Sequence, residues 1–214
     1  MTQVKGKRAE KSRLTRRTIL AAARDLFVER GYGATTLQDI ADRAGYAVQT
    51  VYFVFGNKRT VLKELSDSLL AGDDEQVPTV QRAWFRAAVE ANSADESLRR
   101  LVAGAREMLE RVAPLAEVMR TAATIEPEIS ELWKPDGVDP RHTVYATAAD
   151  ALVTKPDARP GLSAERAADE LFALLSPELY LVLVRDRGWP AERWEEWVRH
   201  LLRGQLLANP GSSG

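Results

Sequence analysis

Thr35–Leu62 reads TTLQDIADRAGYAVQTVYFVFGNKRTVL. Leu37, Ile40, Ala41 and Ala44 recur at helical steps, so they form the apolar stripe of one short helix. Thr36 stands just before that stripe as an N-cap, with Asp39 at the third helical position in a variant of the capping box. Gly45 takes a left-handed conformation readily and ends the helix. Val48, Val51, Tyr52 and Phe55 begin a second stripe almost at once. Gly56-Asn57 closes it, and Asn57 can cap a third helix from Lys58. Two short helices joined by a tight glycine turn make the helix-turn-helix pattern, whose second helix enters the DNA major groove.

Upstream, Ile19, Ala22, Ala23, Leu26 and Phe27 predict a helix over 13–30, ended by Gly31. Arg13, Arg16 and Arg17 crowd its first turns, where the helix dipole disfavours cations. A DNA phosphate would relieve that cost, and a solvated charge cluster is the plainer reading. Residues 1–12 are polar, basic and aperiodic, read either as a disordered solubilising tail or as an arm following DNA. The formal net charge of −1 for the 214 residues hides an asymmetry. Residues 1–60 carry 12 Lys or Arg against 5 Asp or Glu, and the remainder carries 18 against 26. A basic end on an acidic body points to a polyanion partner at that end.

Downstream the pattern is helical throughout, with no strand expected. The helix from Lys58 continues through Val61, Leu65 and Leu69, and the run Gly72-Asp73-Asp74-Glu75 marks a break. Ser93 with Glu96 reads as a capping box, Pro114 as the opening of a further helix, and Asp139-Pro140 as an N-cap with a first-turn proline. Lys155–Gly161 is a loop, Ser163 a cap, and Ser176-Pro177 a kink or restart. Gly188-Trp189-Pro190 turns into a last helix carrying Trp194, Trp197 and Leu201, and Asn209–Gly214 is a flexible end. The expected fold is therefore all-α, with an N-terminal three-helix helix-turn-helix domain, a larger helical bundle and about nine or ten helices in all. The expected domains are residues 1–60 for DNA binding, a linker helix over 58–71, and 72–214 as the body.

The run LFVERGYGATTLQDIADRAGYAVQTVYFVFGNKRTVL resembles the DNA-binding core of the TetR family of bacterial repressors. The spacing from Phe27 through Gly31, Thr36, Ile40, Gly45, Tyr52 and Phe55 to Lys58 follows that pattern without a gap. The resemblance implies a homodimer on double-stranded DNA, with phosphate contacts from Thr36, Tyr52 through its hydroxyl, and Lys58. Tyr52 also reads as half-buried packing, and Lys58 as an exposed cation in either case. Gln49 and Thr50 fall early in the reading helix, away from Val48, Val51 and Phe55, so they are candidates for base edges. Three positions depart from the family. Ala47 replaces the usual capping Ser, and Phe53 and Val54 replace residues that often touch the backbone; Phe53 retains apolar contact with a thymine methyl or a sugar as its option.

The resemblance further implies a pocket for a small apolar or amphipathic ligand within the body. Trp84, Phe85, Met108, Met119, Trp133, Tyr145 and Tyr180 are the large residues available to line it, with Arg106, Arg120 or His142 as polar anchors. Plain core packing is the alternative for each. The last two helices resemble the family's dimer interface, which places Leu171, Leu175, Tyr180, Trp194, Trp197 and Leu201 there; intramolecular core is the alternative for the tryptophans.

Other classes find little support. The only histidines, His142 and His200, have no metal-ligand spacing, and there is no Gly-rich phosphate loop or serine elbow. No catalytic residue, metal site or cofactor is expected. Cysteine is absent and no apolar run reaches membrane-spanning length, so a cytoplasmic protein without a membrane partner is expected. The expectation is a ligand-responsive repressor acting on a pseudo-palindromic operator. A DNA-binding regulator without a ligand, controlled by a protein partner or by its own expression level, is the rival.

Overall fold

The computed structural model describes residues 2–71, 77–132, 134 and 138–208. Among these the chain forms ten α-helices and no strand, with one isolated bridge between Ala158 and Leu207. The helices are α1 (Thr2–Arg30), α2 (Leu37–Ala44), α3 (Val48–Phe55), α4 (Lys58–Ala71), α5 (Ala83–Val89), α6 (Ala94–Ala122), α7 (Arg141–Val153), α8 (Ala164–Leu174), α9 (Pro177–Leu181) and α10 (Ala191–Leu206). Short 3-10 turns cover Thr79–Gln81 and Pro127–Leu132, and a π-helical turn, Val182–Asp186, extends α9. The expected break at Gly72–Glu75, the expected ligand residue Trp133 and the flexible end Asn209–Gly214 lie outside the described residues.

Two compact units result, Met1–Leu69 with Leu115–Leu132, and Leu70–Pro114 with Trp133–Gly214. This differs from the contiguous division expected from sequence, because Leu115–Leu132 groups with the N-terminal helices. In the first unit Ile19, Ala23, Leu26 and Phe27 of α1 are buried with Ile40 and Ala41 of α2, Val51 and Phe55 of α3, and Val61, Leu62 and Leu65 of α4. Each such large apolar side chain removed from water contributes roughly 1.5–3 kcal/mol.

Two helices run further than their punctuation suggested. α1 begins at Thr2, so residues 2–12 are helical rather than an aperiodic tail. No proline interrupts them, and Glu10, Lys11 and their neighbours are adequate helix formers once a helix is nucleated behind them. α6 passes through Pro114 without restarting. Proline forfeits one backbone hydrogen bond there, but Leu109, Ala113 and Leu115 are buried on either side and hold the helix in register.

The second unit is a helical core built from α5, the Ala94–Pro114 part of α6 and α7 to α10. Its helix ends are capped largely as the sequence announces. Ser163 Oγ accepts from the Arg166 amide and Ser176 Oγ from the Leu179 amide. At α7 the expected cap is shifted by one residue: Pro140, rather than Asp139, is the N-cap, and Asp139 Oδ1 accepts the Arg141 amide from just ahead of it. The start of α6 is different. Ser93 Oγ accepts the Glu96 amide at 3.2 Å, but the Glu96 carboxylate turns to Arg99 and Arg100 rather than completing the box. Asp157, from the Lys155–Gly161 loop, caps two further first-turn donors by accepting the amides of Ala94 and Asp95 at 2.6 and 3.0 Å.

Candidate nucleic-acid interface

The site begins with the cap of α2. Thr36 is extended, its hydroxyl accepts the Asp39 amide at 3.1 Å, and its own amide donates to Asp39 Oδ2 at 2.8 Å. The hydroxyl proton also goes to Asp39 Oδ2, at 2.6 Å. The Thr36 hydroxyl and amide together hold the Asp39 carboxyl below its ordinary pKa. The closed box spends the only hydroxyl donor Thr36 has, so a phosphate here is left to the backbone amides of the first turn.

The turn into α3 needs a left-handed residue, and Gly45 provides it at φ 73°. Its amide donates to Asp42 O and the Tyr46 amide to Ala41 O, closing the carbonyl end of α2. Ala47 is the N-cap of α3 and makes no side-chain hydrogen bond, as its methyl group dictates. Within α3, Val51 and Phe55 are buried, Thr50 is half-buried, and Gln49, Tyr52 and Phe53 are exposed. Tyr52 stands 55% exposed and Phe53 92%.

At the start of α4, Asn57 Oδ1 accepts the Thr60 amide at 2.8 Å, as expected. Lys58 departs from the sequence reading. Rather than standing exposed, its Nζ turns inward, donates to the carbonyls of Tyr32 and Thr35 at 2.8 Å each, and lies 4.2 Å from the centre of the Tyr32 ring. Burial lowers its pKa, with Glu126 opposing the shift. Two of its three N–H donors are thereby used to hold the turn before α2.

That turn is gripped from another side. Glu126 Oε2 accepts from the Tyr32 hydroxyl at 3.3 Å and from Arg59 Nη2 at 3.3 Å, and Ile125 lies 3.1 Å from where a Cβ on Gly33 would stand. Burial, followed by the Glu126 charge, pushes the Tyr32 phenol up to about 12. Arg43 clamps Glu29 through both terminal guanidinium nitrogens, fastening α2 to α1. Because α1 begins at Thr2, Arg13, Arg16 and Arg17 lie near its middle rather than in its first turns; Arg13 and Arg17 are exposed, whereas Arg16 pairs with Glu64 and lies over the Phe55 ring. Tyr32, Arg59 and Glu126 were missed by the sequence reading, since nothing local marks residues that meet only after folding.

The other expected sites fare differently. Phe85, Tyr145 and Tyr180 are buried in the core of the second unit, where the Tyr145 hydroxyl donates to Leu175 O at 3.1 Å. Trp84 is half-buried, its indole lying where a Cβ on Gly104 would stand; Met108 is half-buried, and Met119 is buried in the first unit. Phe85, Tyr145 and Tyr180 thus share one core within the second unit, with Trp84 packed against it. A surface recess lined by Ala87, Glu90, Ala91, Asn92, Ser93, Glu96 and Arg100 includes none of them. Of the expected polar anchors, Arg106 is occupied by Glu110 and Glu195, and His142 stacks on Phe172 at 4.4 Å. Four of the six expected interface residues, Leu171, Leu175, Tyr180 and Trp194, are buried within the single chain. They are core, because an interior side chain has no surface to offer a second copy. Trp197 and Leu201 are half-buried. Among the described residues no helix is long and apolar enough to cross a membrane.

Comparison with known proteins places this geometry. A family model, bacterial regulatory proteins of the tetR family, matches residues 19–65, which span the end of α1 through most of α4. The HTH-type transcriptional regulator AlkX of Mycobacterium tuberculosis is 30% identical over 143 residues, covering 58% of this chain and 67% of that protein. A structure described as a TetR-family transcriptional regulator from Mesorhizobium loti superposes with a TM-score of 0.68 at 21% identity, covering 92% of this chain and 98% of that one. The transcriptional regulator FadR of Bacillus subtilis, solved in complex with stearoyl-CoA, gives 0.65 at 19% identity and covers 86% and 96%. The family segment contains the helix-turn-helix, and AlkX is 30% identical with two thirds of its length covered, so the protein belongs to the TetR family as a DNA-binding transcriptional regulator.

Proposed function

We propose that this regulator represses transcription as a homodimer on a pseudo-palindromic operator and is released by a small apolar or amphipathic ligand. The observation that carries the reading is the division of α3, with Val51 and Phe55 buried while Gln49, Tyr52 and Phe53 are exposed. Such a short helix brings few side chains to base edges, each discriminating by roughly 1–3 kcal/mol. One copy therefore selects too few base pairs to define a genomic site, and a two-fold pair with reading helices about 34 Å apart supplies the rest. Gln49 and Thr50 are the base-reading residues in this proposal, Tyr52 reaches a phosphate, and exposed Arg13 and Arg17 extend the positive surface along the backbone. The ligand proposal draws support from the Bacillus subtilis FadR, a chain of the same fold holding stearoyl-CoA. Trp84, Met108 and the buried aromatics of the second unit are its candidate contacts.

Selection from random duplexes by the purified chain tests this. The expected product is an inverted repeat with half-site centres about one helical turn apart. A screen of acyl thioesters and other amphipathic compounds should then find one that raises the melting temperature and lowers affinity for that duplex. Unpaired half-sites would remove the dimer, and stabilising compounds that leave DNA binding intact would remove the ligand response.

A further inference from the structure

Phe53 is the most exposed of the large apolar side chains described, at 92% of its surface. It does not serve the fold, since Val51 and Phe55 already bury the inner side of α3. Leaving a phenyl ring in water forgoes the transfer gain that a partner would supply. It sits one turn beyond Gln49, and the exposed Tyr52 adjoins it in sequence. In the family's docking geometry this side of α3 faces the major groove, whose base edges are polar apart from the C5-methyl of thymine.

We infer that Phe53 reads the C5-methyl group of one thymine in each half-site. The inference rests on the operator reading above and adds a specificity to it. Side chains one helical turn apart have Cβ atoms about 5–6 Å apart, while successive base pairs rise about 3.4 Å along the duplex. The thymine therefore lies one or two base pairs from the position read by Gln49. The contact is apolar and buries no ring donor or acceptor, so it discriminates thymine from uracil, which hydrogen-bonds identically and lacks only the methyl.

The test uses the full chain and the duplex it selects. Each thymine is replaced singly by deoxyuridine, and affinity is followed by fluorescence anisotropy. One position per half-site should lose about fourfold on replacement, the weight of one buried methyl group. 5-Bromodeoxyuridine, whose bromine fills the methyl volume, should restore it. Phe53→Ser should melt as the wild type does, because the side chain is exposed, and should bind the thymine and uracil duplexes equally. Phe53→Leu should keep part of the discrimination. A selected operator without any uracil-sensitive position, or a sensitivity that survives unchanged in Phe53→Ser, overturns this inference alone. A selection that returns no sequence overturns the operator reading with it.

Discussion

Lys58 opens α4 at the positive end of a helix, where a cation gains nothing from the backbone dipole. Its side chain escapes that field by reaching back to two carbonyls, Tyr32 O and Thr35 O, and to the face of the Tyr32 ring. The same lysine looks like a phosphate contact when only its place in the motif is considered. Geometry shifts the expectation for its removal. Lys58→Ala should leave two carbonyls without their charged donor and cost roughly 1–3 kcal/mol of stability, read by urea denaturation. The salt dependence of DNA binding should change little, since most of the ammonium's hydrogen-bonding capacity is already directed inward. A variant with an unchanged unfolding midpoint and a logarithmic salt slope shallower by about 0.9 would return Lys58 to the phosphate set.

At the scale of elements, the helix boundaries written in local chemistry were legible. The Thr36–Asp39 box, the left-handed Gly45, the Asn57 cap and the Ser176-Pro177 restart all lie within a few residues of what they control. What could not be read acts across the chain. Asp157 caps α6 from 63 residues away, and Pro114 stays inside a helix because tertiary burial outweighs one lost hydrogen bond. The exposed side chains of α3 were likewise accessible to sequence, whereas the inward turn of Lys58 and the grip of Glu126 on Tyr32 and Arg59 needed the fold. That grip ties the segment after α6 to the turn that carries the Thr36 cap. Glu126→Ala should therefore raise amide exchange across Gly31–Thr36 and lower stability by up to about 1 kcal/mol, the screened worth of a partly exposed pair. Glu128 is more exposed and 3.8 Å from Arg59, so Glu128→Ala serves as the control and should change neither. Equal behaviour of the two variants would show that charge alone, rather than the Tyr32 contact, matters there.

For the whole molecule, the decisive distinction is between apolar side chains that complete one chain and those that remain for a second. Helical periodicity marks both in the same way, so Trp194 and Trp197 look alike in sequence although they sit only three residues apart. Folding separates them. Trp194 is fully buried against Tyr180, ring centres 5.1 Å apart, whereas Trp197 is half-buried and meets Trp189 edge-on at 5.8 Å. Leu201 lies one turn beyond Trp197 on α10 and is half-buried too. If the proposed dimer uses this side of α10, substitutions at Trp194 and at Leu201 should fail differently. Trp194→Ala opens a core cavity and should cost about 3–5 kcal/mol of folding stability. Leu201→Glu places a charge on the remaining apolar surface and should instead shift sedimentation to the monomer while each copy still unfolds cooperatively. The monomeric variant should also lose affinity for the full inverted repeat while binding an isolated half-site as the wild-type monomer does. A Leu201→Glu protein that remains dimeric would move the interface away from α10.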